Sequence, residues 1–248
     1  MTEPPAPGAR DRLDFHGPLS AARADRLVDR LAAHRPQTLV DYGCGWGELL
    51  LRAIDRCPQA RGIGIDIHGR DVERARRNAV ARGLADRVEF IEGSATDHLS
   101  SADVVLSVGA YHAFGTIPEA LAALVDTVNP GGRLLFAAEI WERPPTAGEL
   151  ANMWPDTSAD ECVDLPTLAE LAVKAGFRLL GVETSTRDEW DEFEFGLTVD
   201  HEEWLLANPE ATDRAAELDT RHARYLRGTR GVMGFAFLLL GRPTRTDS

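Results

Sequence analysis

The sequence predicts an α/β protein built on a doubly wound, largely parallel sheet, and three observations predict it. Short apolar runs alternate with segments of helical periodicity over most of the 248 residues. The first run, 38–42, ends in a loop of alternating glycines, Gly43-Cys44-Gly45-Trp46-Gly47, that opens onto a helix. The second run, 62–65, ends in Asp66, 19 residues after Gly47, the spacing at which a strand tip presents an acid to a ribose.

The elements follow in order. Residues 1–12 carry too little apolar surface to pack and are expected to be disordered, with 1–17 flexible as a whole. After His16, Ala24, Leu27, Val28 and Leu31 mark an amphipathic helix over 20–34. The glycine loop leads into a helix at 47–56, and a third helix over 69–82 stops at Gly83. The third strand, 88–92, ends before Gly93-Ser94-Ala95. The fourth, 102–108, is almost continuously apolar, as a strand buried on both faces must be. It contains Ser107 and runs into Gly109-Ala110-Tyr111-His112-Ala113-Phe114-Gly115.

Ile117, Leu121, Leu124, Val125 and Val128 then describe a helix, which Asn129-Pro130-Gly131-Gly132 should stop before a fifth strand at 133–140. Pro144, Pro145 and Pro155 make 143–164 a loop with short helices, read as part of a lid. A helix over 164–175 and a sixth strand at 178–182 come next. Residues 188–206 read as one acidic helix, with nine carboxylates from Glu183 to Glu203 against Arg187 alone. Ala215, Leu218, His222, Tyr225 and Leu226 suggest another helix, and 234–241 the closing strand. His222 lies on that apolar stripe and reads as a core histidine.

The glycine spacing separates two nucleoside chemistries. The dinucleotide pattern needs a third glycine where this chain has Glu48, a carboxylate at the helix N-terminus where a pyrophosphate would sit. Asp41-x-Gly43-x-Gly45-x-Gly47 followed by Asp66 instead resembles the first two motifs of class I S-adenosylmethionine (SAM) dependent methyltransferases. The resemblance is specific over about 38–140 and rests on element order beyond. It implies a Rossmann-like doubly wound seven-stranded sheet, the last strand antiparallel and set between the fifth and sixth, with an N-terminal helix and an inserted lid. The whole of 1–248 would be one such domain, with 143–164 and 188–228 as lid or acceptor-side elements.

By the same resemblance SAM is the cofactor. Asp41 would help hold its amino-acid end, the loop Gly43, Cys44, Gly45 and Gly47 would pass beneath it, and Asp66 with the neighbouring Ile67 would take the ribose side. Members commonly place an acidic residue after the glycine that follows the third strand. Here Ser94 stands there, so Ser94 and the Ala95 amide become the adenine candidates, with Ser107 near the fourth strand tip. Tyr111 and His112 are the catalytic candidates, His112 as a general base for an acceptor that must lose a proton; both residues shaping the pocket is the plainer alternative. Glu139, Trp141, Trp190 and His16 are the acceptor candidates. Core filling by Trp141 and a surface turn at His16 are the competing readings. Trp190, Phe193 and Phe195 among acids suit a cationic acceptor, although a solvated acidic face explains them as simply.

Net charge is −13, with no Lys/Arg run, which argues against nucleic acid as a partner. The apolar stretch 235–240 is too short to span a membrane, and 1–11 has no signal-peptide core. Cys44, Cys57 and Cys162 show no zinc spacing, so no metal is expected and the compartment reads as reducing and cytoplasmic. The expected protein transfers a methyl group to an oxygen or nitrogen of a small-molecule acceptor. A catalytically silent SAM-binding module, a SAM enzyme with another outcome and a nicotinamide oxidoreductase are the alternatives. The particular acceptor and the oligomeric state are not encoded in any pattern found.

Overall fold

A computed structural model describes residues 12–244; the disorder expected of the first dozen residues lies outside them except at Arg12. From there the chain packs, with Leu13 and Phe15 buried. Seven strands form one sheet: β1 Thr38–Tyr42, β2 Arg61–Asp66, β3 Val88–Glu92, β4 Ala102–Val108, β5 Val128–Trp141, β6 Arg178–Thr184 and β7 Met233–Gly241, in the order β3-β2-β1-β4-β5-β7-β6. The pairs β1–β2, β2–β3, β1–β4 and β4–β5 are parallel, and β7 runs antiparallel to β6. The Rossmann-like sheet with its antiparallel last strand is therefore present as expected.

The residues divide into two compact units. The first holds 21–139, 165–184 and 235–244, which includes most of the sheet together with α1 Ala21–Ala32, α2 Glu48–Arg56, α3 Gly69–Ala81, α4 Ile117–Thr127 and α6 Leu165–Lys174. Its core is apolar side chains supplied at both periods: Leu50, Leu51 and Ile54 from α2, Ile65 and Leu106 from strands, all with no exposed surface. The second holds 12–20, 140–164 and 185–234, and is chiefly helical: α5 Ala147–Leu150, α7 Arg187–Gly196, α8 Val199–Ala207 and α9 Thr212–Arg224. Trp141, Met153, Cys162, Val232 and Met233 form a core cluster there, with Leu150 and Trp190 packed on it.

Two expectations fail in instructive ways. The single acidic helix over 188–206 is two helices, broken after Gly196. Glycine is a poor helix former, and Leu13 lies where a Cβ on Gly196 would be, so the tertiary contact both requires the glycine and uses the break. The strand expected at 133–140 begins earlier, at Val128. Val128 pairs with Ala102 and Arg133 with Val104, so Asn129-Pro130-Gly131-Gly132 is an irregularity inside β5 rather than a linker before it.

Candidate functional site

The strand order puts β1 beside β4, while the chain leaves β1 toward β2 and leaves β4 toward β5. Their outgoing loops diverge, which opens a crevice at the carboxyl ends of the strands. The loop after β1 occupies it. Gly43, Gly45 and Gly47 all have positive φ, 76°, 52° and 74°, a region that costs other residues about 1–2 kcal/mol. At Gly43 there is a second reason: a methyl group would overlap the Cβ of Ala110, on the loop after β4. Around Gly45, by contrast, an added Cβ would meet nothing within 4 Å, so the backbone is open to a ligand on that side.

The loop is pinned from two directions. The Gly43 and Cys44 N–H groups both donate to the Ile65 carbonyl at 2.8 and 3.0 Å, and the Gly45 N–H donates to Asp66 Oδ2 at 2.8 Å. From α3, Asn78 Nδ2 donates to the Trp46 carbonyl at 3.2 Å, and the Arg74 guanidinium lies 4.2 Å from the Trp46 ring centre. Asn78 and Arg74 were not foreseen; their only sequence signal is a four-residue spacing that places them on one helix face. The Cys44 thiol is pushed well above its usual pKa, first by burial and then by Asp41, which makes it an unreactive neutral group.

Three carboxylates surround this loop in different states. Asp66, at the tip of β2, accepts from the Gly45 N–H through one oxygen and from the His68 N–H through the other, the latter at 2.9 Å. Glu48, the first residue of α2, is buried and held by Arg52 at 2.7 Å and by Arg82. A carboxylate fixed in that position by two guanidiniums occupies the place at the helix N-terminus that a phosphate would take. Asp41 is only 4% exposed and its carboxyl has no hydrogen-bond donor among the described residues. Burial, then the charge of Asp66, pushes its pKa up to about 7.

The remaining candidates separate between the two units. Beside the loop in the first unit, Ser94 shares a hydrogen bond with Thr96 at 2.8 Å, Ala95 is buried and Ile67 is exposed. Ser107 is fully buried, and its hydroxyl has no partner among the described residues. Tyr111 is buried and His112 exposed, their ring centres 3.8 Å apart on one tight turn after β4. Glu139, near the end of β5, has one oxygen buried with no partner among the described residues. Burial raises its pKa and the charge of His112 opposes that rise, so the two groups lie within electrostatic reach.

Trp141, Trp190 and His16 belong to the second unit. Trp141 is 6% exposed and its indole N–H donates to the Ala159 carbonyl at 2.8 Å, so the ring fills that unit's core. Trp190 packs on the same cluster. His16 is exposed and its ring lies 6.3 Å from that of Phe193. Of the five carboxylates of α7, Asp188 and Glu192 are exposed, while the other three are engaged within the unit. Glu189 caps its own helix through the Thr186 N–H and also accepts from Ser20; Asp191 binds Arg230 and the Tyr225 hydroxyl; Glu194 binds Arg221. His222 is only partly buried, with Nε2 3.0 Å from the Thr198 hydroxyl. No group of three or more potential metal ligands occurs among the described residues, and no helix there is long and apolar enough to cross a membrane.

The strand order, with a glycine loop after β1, is that of nucleotide-binding α/β folds. A family model for a methyltransferase domain matches residues 39–132, from β1 into β5. A SAM-dependent methyltransferase from Geobacter sulfurreducens, solved in complex with S-adenosyl-L-homocysteine, superposes with a TM-score of 0.82 at 27% identity, covering 93% of this chain and 94% of that one. A SAM-dependent methyltransferase from Thiobacillus denitrificans, also solved with S-adenosyl-L-homocysteine, gives 0.81 at 27% identity, covering 93% and 95%. The uncharacterized protein YjhP of Escherichia coli K12 is 28% identical over 240 residues, 92% of this chain and 94% of that one. The chain carries a methyltransferase domain and, over nearly its whole length, the fold of SAM-dependent methyltransferases solved with S-adenosyl-L-homocysteine.

Proposed function

We propose that the enzyme moves a methyl group from SAM to an oxygen or nitrogen of a small-molecule acceptor. The observation that carries this is Asp41, a buried carboxyl without a protein donor, set beside a glycine loop open to a ligand at Gly45. A free ammonium is the partner such a carboxyl lacks, and the methionyl end of SAM carries one. Asp66 keeps lone pairs for ribose hydroxyls after accepting from Gly45 and His68. Gly43, Cys44 and Gly47 complete the loop, Ile67 covers the sugar side, and Ser94 and Ala95 serve the adenine, with Ser107 offering a hydroxyl near the fourth strand tip. The fixed Glu48 disfavours phosphorylated cofactors at the same loop.

When bound, SAM supplies an activated methyl group on sulfur. The chain's task is to orient the acceptor, exclude water and remove a proton where the acceptor has one. We assign proton removal to His112, seated by Tyr111, with Glu139 near enough to favour the imidazolium that results. We assign acceptor selection to the elements 143–164 and 188–228, with Trp141 and Trp190 serving as packing. The absence of any basic run on a chain of net charge −13 supports a small molecule over nucleic acid. Three free cysteines favour the reducing cytoplasm.

The test is product analysis. The enzyme is incubated with SAM and fractionated small-molecule extracts, and mass spectrometry follows S-adenosylhomocysteine together with any compound gaining one methyl. Paired appearance of the two, with the methyl on oxygen or nitrogen, is expected. Methylthioadenosine in place of S-adenosylhomocysteine would overturn methyl transfer, and a methyl on carbon or on a macromolecule would overturn the acceptor class.

A further inference from the structure

We propose that the helical unit binds a small organic carboxylate with an apolar body, seated between Arg214 and Arg221. A cavity of about 450 Å³ opens among α7, α8 and α9, a size suited to a ligand of metabolite or drug dimensions. Phe193, Leu197 and Leu218 give it an apolar wall, and Arg214, Arg221 and His201 a polar one.

Both guanidiniums are incompletely engaged. Arg214 Nη1 pairs with Glu217 at 2.6 Å, less than one turn along α9, and that glutamate side chain is 65% exposed. Exposed pairs of this kind contribute little and exchange readily, so Glu217 holds a position that a ligand carboxylate can take over. Arg214 Nη2 lies 3.2 Å from both ring nitrogens of His201. That imidazole is 4% exposed, and burial and then Arg214 lower its pKa, so it is a neutral polar wall. Arg221 gives Nη2 to Glu194 at 2.9 Å, while its Nε is buried with no partner among the described residues. A buried donor on a guanidinium calls for an acceptor, and a planar carboxylate matches the guanidinium fork. Each guanidinium already holds one carboxylate, Glu217 or Glu194, so a ligand carboxylate gains its place by displacing the exposed Glu217 and by meeting the buried Nε of Arg221. The apolar wall distinguishes an organic acid from a bare inorganic ion, which would leave that wall wet.

Calorimetric titration of the full chain with phenylpropanoate, phenylpropanol and inorganic phosphate tests this. Saturable binding of phenylpropanoate is expected, with the alcohol and phosphate weaker by about tenfold or more. Arg214→Met and Arg221→Met should each weaken the acid by a similar factor, and Glu217→Gln, an exposed and well-tolerated change, should tighten it by removing the competing carboxylate. Equal affinity for acid and alcohol, or no response to Glu217→Gln, would overturn the site even where an arginine variant folds poorly. SAM affinity is measured in parallel, so that failure of this cavity and failure of the methyl-transfer reading are told apart. Bound phenylpropanoate that becomes methylated marks the cavity as the acceptor's, and bound acid left unmethylated marks it as an effector's; both support the site.

Discussion

If Asp41 holds the ligand's ammonium as proposed, its carboxyl ties protonation to ligand binding. With its pKa raised to about 7 from 3.8, the folded protein holds a proton between roughly pH 4 and 7 that the unfolded chain has released. The ligand-free protein therefore loses stability as pH rises through that window, and the loss levels off above about 7. A cationic ammonium favours the carboxylate, so SAM affinity should climb with pH by up to about tenfold per unit until about 7. It should fall again as the ligand's own amine deprotonates near 8. Calorimetry across pH 5–9 checks this curve, and Asp41→Asn should flatten its acid limb. Asp66→Ala should weaken SAM by about 1–3 kcal/mol, partly through the lost ribose contacts and partly through release of the Gly45 N–H; unchanged affinity in a folded variant would refute the ribose role. His112→Ala should lower the saturated rate by roughly 10²–10⁴ while SAM affinity stays within about twofold. A rate close to wild type would remove the general base.

At the scale of elements, the glycine loop is clamped by β2 and α3, and Gly43 closely approaches Ala110 on the loop after β4. Gly43→Ala adds an overlap with Ala110 to the strain of a φ of 76°, which alone costs about 1–2 kcal/mol. The expected result is a lower melting temperature and weaker SAM binding. Ala110→Gly removes the overlap but not the strain, so the double variant should recover part of the loss. Simple additivity of the two changes in a double-mutant cycle would show that these loops are not coupled as described.

Across the whole molecule, the cofactor candidates all lie in the unit that holds most of the sheet, and binding there should appear as global stability. S-adenosylhomocysteine at about 100 times its dissociation constant should stabilise the folded state by about 2.7 kcal/mol. Nicotinamide dinucleotides at the same concentration should leave the urea midpoint unmoved, because Glu48, locked by Arg52 and Arg82, occupies the helix end a pyrophosphate needs. A midpoint shifted by the dinucleotide and not by S-adenosylhomocysteine would reverse the cofactor assignment.

The sheet, the glycine loop and the acid after β2 were legible in the amino-acid sequence by itself. Each is encoded locally: apolar period selects strand or helix, alternating glycines admit positive φ, and Asp66 lies a fixed contour length from Gly47. Tertiary structure alone decided what depends on neighbours distant in sequence. The 188–206 helix breaks because Leu13 packs against Gly196. Glu194 and Asp191 of α7 find Arg221 and Arg230 on later segments, so folding made ion pairs of two acids that composition could only place on a solvated face. Asp41 was marked by its motif, but its proton is held by burial and by the charge of Asp66 on the adjacent strand. Burial and Coulomb interactions act through space, and a one-dimensional pattern records only which residues are available to take part in them.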